Sequence, residues 1–189
     1  MTLLLLLACT GTPSTPGLQL DSLGELPEFS LRDQTDVPVS RATMLGHVWV
    51  ADFIFTSCPD ICPTLSTRLA SVAAKYVEDK RVRFVSFSVD PATDTPHVLS
   101  VYAGRFGAIH PTWLFLTGET TEMKRVVVGG LKQLMDRAPA EGGKPETVLH
   151  GSRYVLIDDK AVIRAFPDPK EPGQVEAYLD LLLAELDAR

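Results

Sequence analysis

The chain has 189 residues, of which 45% are hydrophobic, enough for one domain with a sizeable core and a short leader. Its formal net charge is −6, with acids and bases interspersed and no basic run, so the electrostatic footprint of a nucleic-acid binder is absent. Past the first residues nothing approaches the roughly 20 apolar residues a membrane helix needs, and the domain is expected to be soluble.

Residues 3–7 are an unbroken leucine run, followed by Ala8 and Cys9. A small residue before a cysteine, after an apolar run, resembles the end of a bacterial lipoprotein signal, in which that cysteine becomes the lipidated first residue. Cys9 is therefore expected to be a lipid anchor holding an exported domain on the outer, periplasmic face of the cytoplasmic membrane. The run is shorter than the usual signal core of about 7–15 residues and no Lys or Arg precedes it. A start codon read too late would produce both features, and a plain hydrophobic start is the other reading. Residues 11–17, Gly-Thr-Pro-Ser-Thr-Pro-Gly, cannot build a core and read as a tether. The expected division is a leader over 1–9, a tether over 10–25 and a folded domain over 26–189.

Residues 46–55 carry a nearly continuous apolar run, the pattern of a strand covered on both faces. Thr56-Ser57-Cys58-Pro59-Asp60 breaks it. From Thr64 the period changes: Leu65, Leu69, Val72 and Tyr76 fall on one helical face. A second strand spans 81–89, rich in Val and Phe, and Asp90-Pro91 ends it. Asp94-Thr95-Pro96 opens a helix, with Val98, Val101, Tyr102 and Phe106 as its predicted apolar face. A short strand follows over 112–116. Residues 120–135 are helical in pattern, interrupted by Gly129-Gly130. Residues 138–144 read as a mobile loop. Strands over 153–157 and 161–166 flank Asp158-Asp159-Lys160 as a hairpin. A last helix starts near Pro172, with Val175, Leu179, Leu182 and Leu186 on its apolar face. Parallel crossovers followed by a hairpin and a closing helix specify an α/β sandwich on a mixed sheet.

There are three cysteines. With Cys9 as an anchor, Cys58 and Cys62 remain, and the loop between them is too short to staple a fold. A reversible disulfide or a metal site is the better use of such a pair. The pair stands where the first buried strand gives way to a helix, whose free amides and positive dipole end favour thiolate. At a spacing of four, side chains on a helix share a face with Cβ atoms about 5–6 Å apart. Two sulfurs so placed can converge on one metal ion, and modest backbone movement would let them form a disulfide. Two thiolates suit Cu(I), and an imidazole helps accommodate Cu(II). Structural zinc normally takes four protein ligands, of which the cysteine pair would supply two. Of His47, His97, His110 and His150, spacing alone selects none. His47 and His97 look structural, and Asp90 and Asp94 read as turn and cap residues, with a place near the site as the other reading.

From about residue 26 to 182 the chain resembles the Sco/SenC family of copper-binding proteins. The resemblance rests on Asp52-Phe53-Ile54-Phe55-Thr56-Ser57-Cys58-Pro59-Asp60-Ile61-Cys62-Pro63-Thr64, on Ser88-Val89-Asp90-Pro91-Ala92-Thr93-Asp94-Thr95-Pro96, on Trp113-Leu114-Phe115-Leu116-Thr117-Gly118 and on His150-Gly151-Ser152-Arg153-Tyr154-Val155-Leu156-Ile157-Asp158. It implies a thioredoxin-like α/β fold, a three-layer sandwich with a mixed central sheet. It also implies one copper ion on Cys58, Cys62 and His150. Members commonly have Ser after that histidine, where this chain has Gly151. The implied role is assembly of the dinuclear copper centre of cytochrome c oxidase, by copper delivery, by reduction of the target cysteines, or both. The implied partners are the copper-bearing oxidase subunit or another copper chaperone.

A copper-independent thiol-disulfide oxidoreductase, with Cys58 and Cys62 as its redox pair, is the alternative. Its usual motif is Cys-x-x-Cys, and here three residues intervene. A thiol peroxidase would carry Pro-x-x-x-Thr-x-x-Cys, and Phe55 and Ala51 stand where its Thr and Pro would be.

Overall fold

The computed structural model describes residues 18–59, 61–138, 147–150 and 152–189, with backbone alone at 137–138 and 147–150. Strands β1 (Ser30–Arg32) and β2 (Pro38–Ser40) form an antiparallel hairpin. Helix α1 (Arg41–Met44) follows at once, its first turn closed by the Ser40 hydroxyl, which accepts from the Thr43 amide. Next come β3 (Val48–Ile54), α2 (Ile61–Ala73), β4 (Val82–Ser88), α3 (Pro96–Arg105) and β5 (Trp113–Leu116). Helix α4 (Thr120–Lys124) runs into a π-helical turn, Arg125–Gly130. The chain ends with β6 (Met135–Ala138), β7 (Thr147–His150), β8 (Val155–Ile157), β9 (Ile163–Ala165) and α5 (Gln174–Asp187).

The central sheet has the order β5-β4-β3-β8-β9. Strands β3, β4 and β5 are parallel, and β8 and β9 are antiparallel, so the sheet is mixed as the element order required. Every residue of β3 is buried, which is why its sequence shows no polar alternation. Its odd positions, Trp49, Ala51 and Phe53, enter a core with Met44, Met123, Val126 and Val127. Its even positions Val48, Val50 and Ile54 enter a second core built from α2, α3 and α5. Three helices therefore cover one face, and α4, α1 and the β1–β2 hairpin cover the other, giving three layers.

Both outer strands of this sheet have company. Backbone bonds run in both directions between Arg32 and Thr117, each 2.9 Å. Gln34 lies flush with β5: its Nε2 donates to the Trp113 carbonyl at 2.9 Å and its Oε1 accepts from the Phe115 amide at 2.8 Å. At the far side, the amides of Asp21, Leu23 and Leu26 donate to the carbonyls of Arg164, Ile163 and Ala161. The chain is thus held against β9 from Asp21 onward, inside the stretch assigned to the tether.

Three segments differ from expectation. Residues 120–135 do not form one helix: the helical path stops at Gly130 and Met135 begins a strand. A Cβ on Gly130 would stand 2.7 Å from Pro27 Cδ, so this turn is pressed against the chain's entering segment, an approach only glycine permits. The loop expected over 138–144 lies, apart from Ala138, outside the described residues, and it is flanked by the unforeseen β6–β7 hairpin. On α3 the inward residues are Leu99, Tyr102 and Ala103, while Val101 is 53% exposed. The inward face is set by Tyr102, whose ring stands 6.1 Å from that of Phe115.

Candidate metal centre

Strand β3 delivers the cysteine segment. After Ile54 the half-buried Phe55 packs against both cores, and the Phe55 carbonyl accepts from the Cys58 amide at 3.1 Å, closing a turn. Helix α2 begins at Ile61 and carries Cys62 in its first turn. The Cys62 amide, one of the first-turn groups with no partner inside the helix, donates to Cys58 Sγ at 3.4 Å. Neither cysteine is in a disulfide and both are buried, Cys58 at 8% exposure and Cys62 at 0%. They are not equivalent. Cys58 accepts from the Cys62 amide and keeps some exposure, while burial and a hydrogen bond with Cys58 push the wholly buried Cys62 thiol up against a lowering backbone bond from Phe55.

The segment is clamped from the side by Asp94. This carboxylate is wholly buried and accepts from Thr56 Oγ1 at 2.6 Å, from the Thr56 amide at 3.2 Å and from Ser88 Oγ at 2.6 Å. Burial raises its carboxyl, while the bonds from Ser88 and Thr56 oppose that rise and the charge of Asp90 adds to it. Asp94 thus joins the cysteine loop to the end of β4, beside the Thr95 cap of α3. Sequence reasoning read it as a turn or cap residue with a place near the site as the other reading, and its bonds to Thr56 put it beside the cysteine loop. Asp52 was missed altogether, although a lone carboxylate inside an apolar strand is a signal in itself. It is 1% exposed, and neither of its oxygens has a hydrogen-bond partner.

The structure brings Cys58 and Cys62 together. Among the described residues no three His, Cys, Asp or Glu side chains converge as a metal cluster. His150 is placed by its backbone, at the end of β7 opposite Met135; its side chain, like Asp60 and Cys9, lies outside what is described. The other histidines are accounted for elsewhere. His110 Nε2 stands 2.9 Å from Asp33 Oδ2, His47 lines a cleft beside Arg83, and His97 is exposed in the first turn of α3. The donor set suits copper in kind: two sulfurs at the mouth of a helix, one of them near the surface.

The SCO1/SenC family model matches residues 21–184. The chain belongs to the SCO1/SenC family. Among curated relatives, the SCO1 protein homolog of Bacillus subtilis is 33% identical over 135 residues, covering 70% of this chain and 68% of the relative. Among solved structures, Bradyrhizobium japonicum ScoI with copper bound aligns with a TM-score of 0.71 at 26% identity, over 84% of this chain and 98% of that one. BsSco, described as a Sco-family cytochrome c oxidase assembly protein with a disulfide switch, aligns at 0.70 with 30% identity, over 85% and 94%. A SCO1/SenC family lipoprotein of Bacillus anthracis aligns at 0.70 with 29% identity, over 85% and 92%. The fold is thioredoxin-like, as the family resemblance implied.

Proposed function

We propose that the chain binds one copper ion through Cys58, Cys62 and His150 and assists assembly of the dinuclear copper centre of cytochrome c oxidase. The observation that carries this is the pair of reduced cysteines brought together at the start of α2, with the Cys62 amide donating to Cys58 Sγ. Two soft donors hold Cu(I), and an imidazole adds the nitrogen that Cu(II) prefers. Three protein ligands leave a position for a donor from a receiving protein, as metal transfer requires. The copper-bearing oxidase subunit, or another copper chaperone, is the partner. The copper bound in ScoI and the oxidase-assembly role of BsSco support the reading. The B. anthracis lipoprotein supports a domain anchored through Cys9 on the outer face of the cytoplasmic membrane.

A copper-independent thiol-disulfide oxidoreductase is the second reading, favoured by the unequal exposure of the two thiols. The experiment that separates the two is titration with Cu(I) and Cu(II) of Cys58→Ser, Cys62→Ser and His150→Ala beside His47→Ala, His97→Ala and His110→Ala. Either cysteine variant should lose tight binding of both ions. His150→Ala should lose the stable sulfur-to-copper charge-transfer band of the Cu(II) form and keep part of its Cu(I) binding. Wild-type copper binding by all six variants would remove the copper reading in favour of the reductase. A stable Cu(II) form in His150→Ala, with its loss in another histidine variant, would move the ligand assignment.

A further inference from the structure

At the opposite end of the sheet from the thiols, a cleft of about 290 Å³ opens between the β1–β2 hairpin and the starts of β3 and β4. His47 stands one residue ahead of β3, and Arg83 is the second residue of β4, paired in register with Trp49. The hairpin brings Asp33, and the segment ahead of β5 brings His110. Val37, Val39, Met44, Pro111 and Leu114 make most of the wall apolar.

Arg83 is a half-buried cation without a counterion. Burial lowers its guanidinium, and among the described residues no carboxylate pairs with it. Its Nη1 donates to the Lys80 and Val82 carbonyls, each at 3.0 Å, while Nε and Nη2 make no bond among the described residues. The carboxylate that does line the cleft, Asp33, is spent on other donors. Its Oδ1 accepts from the Thr35 amide at 2.8 Å, the Thr35 hydroxyl at 2.7 Å and the Val37 amide at 3.0 Å, and its Oδ2 stands 2.9 Å from His110 Nε2. Burial raises this carboxyl, and those bonds outweigh the rise and hold it below the usual carboxylate range. The His47 imidazole is lowered by burial and by the charge of Arg83, against the carbonyls of Leu45 and Met44, so it is uncharged at neutral pH.

We propose that this cleft binds a monoanion with an apolar body, a carboxylate or a phosphodiester, on the open Nε–Nη2 edge of Arg83. That edge presents two parallel N–H donors, a fork that matches two oxygens of either group. One cation without a counterion calls for one negative charge, and a second would face Asp33. The apolar wall receives the body of the ligand, in a volume at the small end of small-molecule sites. Two sources carry this chemistry. One is a free carboxylate with a short apolar chain. The other is a phospholipid, because Val37, Leu45 and Ile109 stand exposed on or beside the rim. None of these residues belongs to the proposed copper site.

The test is NMR on the full chain, reduced and free of metal, following the Arg83 Nε–H and the His47 ring at constant ionic strength. Two probes represent the two sources, hexanoate and monomeric dihexanoylphosphatidylglycerol. At least one should move both signals saturably, and the tighter of the two names the source. Acetate, which has the head without the body, should bind about tenfold more weakly than hexanoate or worse. Read at the His47 ring, Arg83→Gln should weaken the tighter probe by about tenfold or more. Arg83→Lys keeps the charge and loses the fork, and should not restore the affinity. An Arg83 signal that moves no further with either probe than with chloride overturns the proposal, as does wild-type affinity in Arg83→Gln. Acetate binding as tightly as hexanoate overturns it equally, since the cleft would then hold a bare ion. Should the variants fail to fold, the wild-type titrations decide alone.

Discussion

Replacing Asp52 by Asn should change how stability depends on pH. In the folded protein this carboxyl is lifted from 3.8 to about 7 by burial without a partner. Between those values the folded chain holds a proton that the unfolded chain has released, so wild-type stability falls as pH rises from about 4 to about 7. At about 1.4 kcal/mol per pH unit, the loss across that window is about 4 kcal/mol. Asparagine has the same shape and no charge to bury, so the variant escapes this loss while sharing every other titrating group. Urea unfolding under reducing conditions at pH 4 and pH 8 measures the difference. The stability of Asp52→Asn relative to wild type should be about 4 kcal/mol greater at pH 8 than at pH 4. For a domain of this size that is a gain of about 2 M in urea midpoint. A difference that is the same at both pH values would show that Asp52 is ionised in the folded protein at pH 4, and the account of a carboxylate stranded beneath the cysteines would be wrong.

Asp94→Ala should unpin the cysteine loop, because it deletes the acceptor of Thr56 Oγ1, the Thr56 amide and Ser88 Oγ and leaves those donors buried. A cost of about 3 kcal/mol in thermal or urea unfolding is expected, with faster alkylation of Cys58 in the still-folded protein; unchanged alkylation would show that the clamp does not hold the thiol. Cys9→Ser should release the full chain from the membrane fraction of a bacterial host, and mass spectrometry should find the lipid on wild type alone. An unlipidated, cytosolic wild type would remove the anchor.

The parts of this fold that were legible in the sequence are those whose burial is uniform. β3, β4 and the apolar stripe of α2 are covered by neighbours along their whole length, so composition and period report them directly. The three-residue strands β1 and β2 are too short to show a period, and their pairing depends on Asp33, Gln34 and the edge of β5. The π-helical turn and β6 were hidden because Met123, Val126, Val127, Leu131 and Met135 keep an apolar rhythm through a backbone that stops being helical at Gly130. In the site, the cysteine pair is visible as a spacing. The roles of Asp52 and Asp94 are not, since they depend on which strand face a carboxylate occupies and on whether donors reach it.

The flanking segments on either side of the central sheet bear on how this protein meets others. A strand with a row of unpaired amides and carbonyls invites any extended peptide to add itself, whether a partner or another copy of the same chain. Here Gln34 presents to β5 the donor and acceptor that a neighbouring backbone would offer, and the segment from Asp21 to Leu26 does the same along β9 with its own main chain. Strand addition and the edge-to-edge aggregation that accompanies it are thereby discouraged on both sides. Recognition is left to side chains and loops at the ends of the strands, where the thiols stand, so a protein that reaches the thiols has to approach end-on.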